Sequence, residues 1–132
     1  DYQVTNVIFD EGDHVAAILD FDNLRVLPRG AKVTRTLSLD FRPDGATVPE
    51  GDAFFAGYCD VARPSDEEVA TYAPLRAYLS CTSAWPVEQR YLAPGAYQPR
   101  WDRFIKDPDN WWERNADAIT EHFIQVARHA GM

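Results

Sequence analysis

The chain has 132 residues, a length that usually forms one domain around one hydrophobic core. Its 21 acidic and 13 basic residues give a net charge of −8. No Lys/Arg cluster is long enough to follow a phosphate backbone, which argues against nucleic acid or an anionic membrane surface as a partner. No apolar run approaches the roughly 20 residues of a membrane span. The two cysteines, Cys59 and Cys81, form no CxxC pattern, so we expect free thiols in a cytoplasmic protein.

The first 22 residues contain two short apolar runs separated by an acidic turn. Val7–Phe9 precedes the sequence DEGD at 10–13, and Val15–Leu19 follows it. A strand, a Gly-containing turn and a second strand are typical of a β-hairpin. We therefore predict a hairpin near the start of the chain.

The rest of the chain has mainly helical patterns. Apolar residues at helical spacing predict helices over 28–41 and 50–62. The capping box at 65–68 opens a further helix, which we expect to be interrupted at Pro74 and limited at Pro86.

A Pro-, Gly- and aromatic-rich loop is predicted over 91–108, and Asp107-Pro108 then opens the last helix, with Asp as N-cap and Pro at the first helical position. The following residues alternate spacings of four and three and form one continuous apolar stripe: Trp112, Ala116, Ile119, Phe123, Val126 and Ala130. Such a stripe predicts a single helix that packs on the body of the protein, with Trp112 in the core.

Three polar residues form the candidate chemical site. Asp1 and Asn6 flank four residues at the start of the chain, and Asp20 follows the second apolar run of the hairpin. Phosphoryl transfer from ATP requires a carboxylate that orients the attacking hydroxyl, and an amide oxygen and a second carboxylate that hold Mg²⁺. A hairpin between these residues would bring them together.

The sequence DYQVTNVIFD at 1–10, followed by VAAILDFD at 15–22, resembles the aminoglycoside phosphotransferase and homoserine kinase-like family. In that family a His-Gly-Asp motif, four residues and Asn-Val-Leu precede a hairpin that ends in Ile-Asp-Phe-Asp or a variant. The family has a protein-kinase-like fold, and these segments are its catalytic and metal loops.

The resemblance implies that Asp1 is the catalytic base, that Asn6 and Asp20 bind Mg²⁺, and that Asp22 assists them. The expected activity is transfer of the ATP γ-phosphate to a hydroxyl of a small acceptor such as an aminoglycoside, homoserine or a choline-like amine. The expected fold is α+β and corresponds to a kinase-like C-terminal lobe. Its hairpin at 1–24 would pack on a helical subdomain at 25–132, and the ATP-clamping N-terminal lobe would be absent.

The chain also departs from the family pattern. The family usually carries an Asp in a Pro-Arg-x-x-Asp-Leu-Ala context, and this chain has PRGAKVT at 28–34, with Lys32 at the matching place. That change leaves open a pseudokinase that binds a nucleotide or a partner without chemistry. An α-ammonium group beside the Asp1 carboxylate would weaken it as a base. We therefore expect these 132 residues alone not to turn over ATP.

A second aromatic and acidic group is a candidate for part of an acceptor pocket. Trp101, Asp102 and Trp111 combine ring faces with a carboxylate, which would suit a cationic acceptor. Packing in the core is the alternative reading of aromatic residues in this segment. His122 and His129 lie near the apolar stripe of the last helix without a third ligand, which argues against a metal site there.

Overall fold

The computed structural model describes residues 4–21, 26–38, 49–82, 85–92, 95 and 111–130, and it has an α+β fold. A short 3-10 turn at Val4–Asn6 leads into the two-stranded antiparallel sheet, and helices form the remainder. The strands are β1 (Val7–Phe9) and β2 (Val15–Ile18), and the helices are α1 (Arg29–Thr36), α2 (Pro49–Ala62), α3 (Asp66–Ala70), α4 (Tyr72–Thr82), α5 (Trp85–Tyr91), α6 (Trp111–Arg114) and α7 (Ala116–Ala130). Within these described segments, no helix combines the length and the apolar character that crossing a membrane requires.

The predicted hairpin is present, and Asp10 closes its turn. The Asp10 carboxylate accepts hydrogen bonds from the backbone N–H groups of Gly12 at 2.8 Å and His14 at 3.0 Å. These two N–H groups lower the pKa of Asp10 below its usual value, because they stabilise the ionised form, and the His14 N–H contributes most. Asp13 takes a left-handed backbone conformation with φ 60°, which Asp tolerates better than most residues. A short acidic turn thus suffices to reverse the chain.

The first helical predictions are confirmed where the structure describes them. α1 lies inside the first predicted helix, and α2 begins one residue before the second and ends where predicted; residues 39–41 of the first prediction fall outside the described part of the chain. The Ser65 hydroxyl accepts a hydrogen bond from the Glu68 N–H at 3.2 Å and caps α3. The helix is then broken at Thr71, one turn before Pro74 would remove an i−4 hydrogen bond.

One further helix prediction agrees with the structure and one was wrong. The helix before Pro86 ends at Thr82, within the predicted limit, and Pro86 lies in the first turn of α5, where a missing N–H costs nothing. The last helix is not continuous, because a turn at Asn115 separates α6 from α7. The Asn115 carbonyl accepts the Ile119 N–H at 2.9 Å, as the residue before a helix does, and Asn favours such positions over helix interiors. The predicted start at 107–108 lies outside the described residues.

The helices share one core, which draws on α1, α2, α3, α4, α6 and α7. Phe55 of α2 and Phe123 of α7 are its centre, with ring centroids 4.6 Å apart and both side chains essentially inaccessible. Trp112 is buried against them, as the apolar stripe predicted. Full burial of one such aromatic side chain contributes about 1.5–3 kcal/mol, so this cluster is a principal source of stability.

Arg76 of α4 has a buried polar atom. Its Nε atom is buried without a hydrogen-bond partner among the described residues. Burial, with a smaller contribution from the positive charge of Arg35, lowers the pKa of Arg76 to about 10. A half-buried guanidinium beside a like charge opposes folding rather than supporting it.

The hairpin does not share the helical core. Ile8, Phe9, Val15 and Ile18 are all exposed by more than a third of their surface, and the described core cluster contains no strand residue. These four side chains are therefore not part of the described core, and the packing of the hairpin on the helical bundle stays a prediction. Strands of three and four residues with apolar groups on both faces cannot bury both faces against one neighbour.

Candidate functional site

The open end of the hairpin brings Asn6 and Asp20 together. Asn6 ends the 3-10 turn immediately before β1, and Asp20 lies just beyond the end of β2. The Leu19 N–H donates to the Asn6 carbonyl at 2.8 Å, which extends the strand pairing to this point. The Asn6 Nδ2 atom donates to the Asp20 Oδ2 atom at 3.4 Å, across 14 positions of sequence. Two of the three residues that the sequence singled out are thus neighbours in space.

The backbone at Asp20 departs from the strand conformation. Its φ is 61°, in the left-handed region that Asp and Asn enter more readily than other side chains. The chain leaves the direction of β2 at this residue, while the carboxylate remains beside Asn6. Backbone conformations of this kind cluster at functional sites, where the surroundings hold them in place. Sequence alone gave no sign of it.

The donor set of this pair fits a divalent cation of the Mg²⁺ type. Such ions take hard oxygen ligands, usually one or two carboxylates completed by water and phosphate oxygens. Asp20 is exposed and offers a carboxylate, and the half-buried Asn6 offers an amide. The amide directs nitrogen toward the carboxylate here, and a half-turn about its terminal bond would direct the oxygen there instead. Both groups can therefore serve one ion.

The remaining predicted site residues are not part of this described pair. Asp1, Asp22, Trp101 and Asp102 lie outside the described residues. Trp111 is the first residue of α6, and its side chain also lies outside the described part of the structure. Their predicted roles remain predictions.

A network at the start of α1 escaped the sequence analysis. The Arg29 guanidinium donates to both carboxylate oxygens of Glu68, through Nε at 3.0 Å and Nη2 at 2.5 Å, and through Nη1 to the Ala62 carbonyl at 3.0 Å. The Tyr72 hydroxyl donates to the same Glu68 carboxylate at 3.1 Å. Burial, followed by its hydrogen bond with the Tyr58 hydroxyl, raises the pKa of Tyr72. The partners are up to 39 positions apart, and only the folded chain reveals them.

A shallow cavity of about 390 Å³ lies where α4 meets α6 and α7. Its walls are formed by Pro74, Ala77, Tyr78, Cys81, Glu113 and Ala116. They are mainly apolar, with one ring and one carboxylate among them. Glu113 belongs to α6, the helix that begins with Trp111, so the cavity adjoins the segment in which the sequence predicted an acceptor pocket.

The chain matches no protein-family model, no curated protein and no solved structure. Within the described residues, no three or more His, Cys, Asp and Glu side chains are grouped closely enough to hold a metal ion. The Asn6–Asp20 pair is not a group of this type, because it consists of one amide and one carboxylate.

Proposed function

We propose that this chain is the C-terminal catalytic part of an ATP-dependent small-molecule kinase with a protein-kinase-like fold. It would transfer the γ-phosphate of ATP to a hydroxyl of a small acceptor. One observation carries the proposal: the Asn6 amide and the Asp20 carboxylate lie 3.4 Å apart at the exit of a hairpin. An amide and a carboxylate in this order resemble the Asn and the Asp that hold Mg²⁺ in protein kinases.

Each of the proposed residues has a separate task. Asp1 would orient the acceptor hydroxyl and accept its proton, which requires only that the carboxylate reach hydrogen-bond distance of that oxygen. Asn6 and Asp20 would hold Mg²⁺, with Asp22 assisting. A Mg²⁺ ion bound there would neutralise negative charge on the phosphate oxygens. Most of the rate gain would come from positioning and charge stabilisation by these side chains.

The acceptor pocket belongs to the same proposal. Trp101, Asp102 and Trp111 would present ring faces and a carboxylate to a cationic acceptor. Tyr78 and Glu113, which line the shallow cavity beside α6, supply the same two kinds of group. These features favour an amine over an anionic acceptor.

A second candidate is a pseudokinase that binds a nucleotide or a partner without phosphoryl transfer. Lys32, where the family resemblance expects an Asp, is the observation that favours it. Lys32 lies half-buried in α1, so a cation occupies a position at which the resemblance expects an acid. Binding of Mg²⁺·ATP without transfer to any acceptor would support this candidate.

Metal binding is the first test, and the chain offers a matched control. Asp13 and Asp20 are both exposed, both have φ near 60°, and they lie at opposite ends of the hairpin. Asp20→Asn removes the charge and keeps a side chain that tolerates this backbone. In a Mn²⁺ titration followed by NMR, the Asn6 and Asp20 signals should broaden first. Asp20→Asn should abolish that broadening, and Asp13→Asn should not.

Phosphoryl transfer is the second test. In the full-length polypeptide, Asp20→Asn should lower Mg²⁺-dependent transfer to a responsive acceptor by roughly a hundredfold or more, because charge stabilisation of this kind is worth that much. Asp13→Asn should leave the rate near that of the unmodified protein. Equal transfer by both variants would rule out the assigned role of Asp20.

A further inference from the structure

Arg76 carries a positive charge that no described carboxylate balances. It lies half-buried in α4, and its Nε atom is buried without a hydrogen-bond partner among the described residues. Burial and then the positive charge of Arg35 lower the pKa of Arg76, and no described carboxylate contributes to that shift. Charged groups that leave water are normally paired, because an unpaired one costs free energy. The Arg76 guanidinium therefore has a charge and hydrogen-bond donors to offer a ligand.

The packing of α1 on α4 brings a second guanidinium near Arg76. Gly30 lies against the Tyr72 ring, because a Cβ atom added to it would be 2.2 Å from Cδ1 of that ring. Arg35 and Arg76 follow about one helical turn later on their two helices, and the charge of Arg35 reaches Arg76 there. Arg35 also has an interaction of its own, so what it adds here is its charge. The two helices thus hold two half-buried arginines near each other.

This pair differs from the other arginine contacts of the described structure. Arg29 and Arg128 each bind a carboxylate, that of Glu68 and that of Asp66. The protein as a whole is acidic, with a net charge of −8, and its overall field disfavours anions. Salt screens that field beyond about 8 Å at physiological ionic strength, so an anion at Arg76 responds mainly to the charges close to it.

From this arrangement we infer that Arg76 and Arg35 form a binding site for a small phosphate-type dianion. A planar guanidinium presents parallel N–H groups that match two oxygens of a phosphate. Because Nε is buried, the ion contacts the terminal Nη groups of Arg76 from the solvent side. Two neighbouring positive charges favour a dianion over a single carboxylate. The inference does not depend on the proposed function, since it uses neither Asn6 nor Asp20.

Such a site also gives a physical reason for a charge that opposes folding. Without an anion, Arg76 is desolvated beside a like charge and lowers the stability of the folded state. A bound dianion supplies the missing counter-charge, and a ligand that binds only the folded state stabilises it. Groups that bind ligands often reduce stability in this way when the ligand is absent.

The test is a titration of the 132-residue chain with inorganic phosphate, followed by NMR at about pH 8, where phosphate is mainly a dianion. Chloride keeps the ionic strength constant. The Arg76 Nε–H signal should shift and saturate with a Kd on the order of 1 mM, which corresponds to about two charge-assisted hydrogen bonds. Acetate, a monoanion, should bind at least roughly fivefold more weakly.

Four variants locate the site, with the backbone amide signals of residues 75–77 as the readout. Arg76→Met should weaken phosphate binding roughly tenfold or more, the value of one charge-assisted hydrogen bond. Arg76→Lys keeps the charge and loses the planar fork, so it should weaken binding roughly threefold. Arg35→Met should also weaken it roughly threefold. Arg128→Met is the matched control, because it removes a charge that Asp66 already balances; it should leave the affinity within about twofold.

Several outcomes would overturn the inference. One is the absence of a saturable phosphate shift in the unmodified protein, and another is equal binding by Arg76→Met or by Arg35→Met. An equal loss in Arg128→Met would show that net charge explains the binding, and acetate that binds as tightly as phosphate would exclude a site for a dianion. Circular dichroism checks that every variant is folded. Metal binding at Asn6 and Asp20 is measured separately, so each proposal can fail without the other.

Discussion

Replacing Gly30 with alanine should destabilise this protein, although the same change stabilises most helices. Gly30 is buried in the first turn of α1, where that helix packs on α4. A Cβ atom added there would lie 2.2 Å from Cδ1 and 2.6 Å from Cε1 of the Tyr72 ring. Carbon atoms in favourable contact are about 3.5–4 Å apart, so the ring or the helix would have to move by more than 1 Å.

The Tyr72 ring has little freedom to move. It is 1% exposed, its hydroxyl is bonded to Glu68, and it lies edge-on against Phe55. Forcing extra carbon into a packed core costs about 1–3 kcal/mol. Alanine recovers at most about 1 kcal/mol through helix propensity, and less in the first turn than in the middle of a helix. We expect a net loss of about 2 kcal/mol in the free energy of unfolding, which lowers the melting temperature by roughly 6–10 °C.

Gly57 provides the control within the same protein. It is exposed in the middle of α2, and a Cβ atom there would have no neighbour within 4 Å. Gly57→Ala should therefore raise the free energy of unfolding by about 0.5–1 kcal/mol, the ordinary gain in helix propensity. Urea unfolding followed by circular dichroism measures both variants, and their shifts should have opposite signs.

A double substitution separates packing from other causes. Tyr72→Leu removes the ring atoms that the new Cβ would meet, at a cost of its own. If close packing explains the loss, Gly30→Ala should cost clearly less in the Tyr72→Leu background, with a coupling energy of about 1 kcal/mol or more. Stabilisation by Gly30→Ala in the unmodified protein, or the same cost in both backgrounds, would refute the reasoning.

Three further predictions concern titratable groups. The backbone N–H groups that lower the pKa of Asp10 should hold the hairpin turn above about pH 4 and release it as the pH falls through that lowered pKa; the Gly12 amide NMR shift should report the change, and Asp10→Ala should remove it. Burial raises the pKa of Cys59 to about 11, so a thiol reagent at pH 8 should label the exposed Cys81 in the native protein and Cys59 only after unfolding; equal rates would contradict the buried position. Arg76→Met should leave the free energy of unfolding unchanged or raise it by up to about 1 kcal/mol, because it removes a half-buried charge whose pKa folding lowers; a loss above about 1 kcal/mol in urea unfolding would contradict this.

Local sequence patterns predicted the features that local interactions determine. The hairpin turn at 10–13 is closed by the Asp10 side chain acting on residues two and four positions away. The Ser65 cap reaches three positions, and the burial of Phe123 follows from the 3.6-residue helical period. Each of these features depends on residues that are close in sequence, so a local pattern can predict it.

Features that depend on long-range contacts were missed or misread. The spacing of the apolar residues is the same on both sides of Asn115, so it does not reveal the turn that separates α6 from α7 there. The Arg29–Glu68 ion pair joins residues 39 positions apart, and the sequence around Arg29 does not distinguish it from other surface arginines. Gly30 resembles a helix-weakening residue until the Tyr72 ring is seen against it.

The candidate site depends both on the sequence pattern and on a strand register that only the structure shows. The sequence predicted that Asn6 and Asp20 flank a hairpin, and it did not give the register. The strands pair Val7 with Ile18, and a bulge beside Phe9 leaves Ala16 as the extra residue of β2. Without it, Asp20 would lie one residue farther from Asn6, about 3.4 Å along the strand.

The bulge alone would still leave the two side chains on opposite faces of the sheet. Strand residues alternate in direction, so a regular continuation of β2 would direct Leu19 and Asp20 to opposite sides, and Leu19 is the residue paired with Asn6. The left-handed backbone at Asp20 breaks this alternation and keeps its carboxylate within 3.4 Å of the Asn6 amide. A bulge and one positive φ, which the order of residues does not reveal, thus bring an amide and a carboxylate 14 positions apart into hydrogen-bond contact.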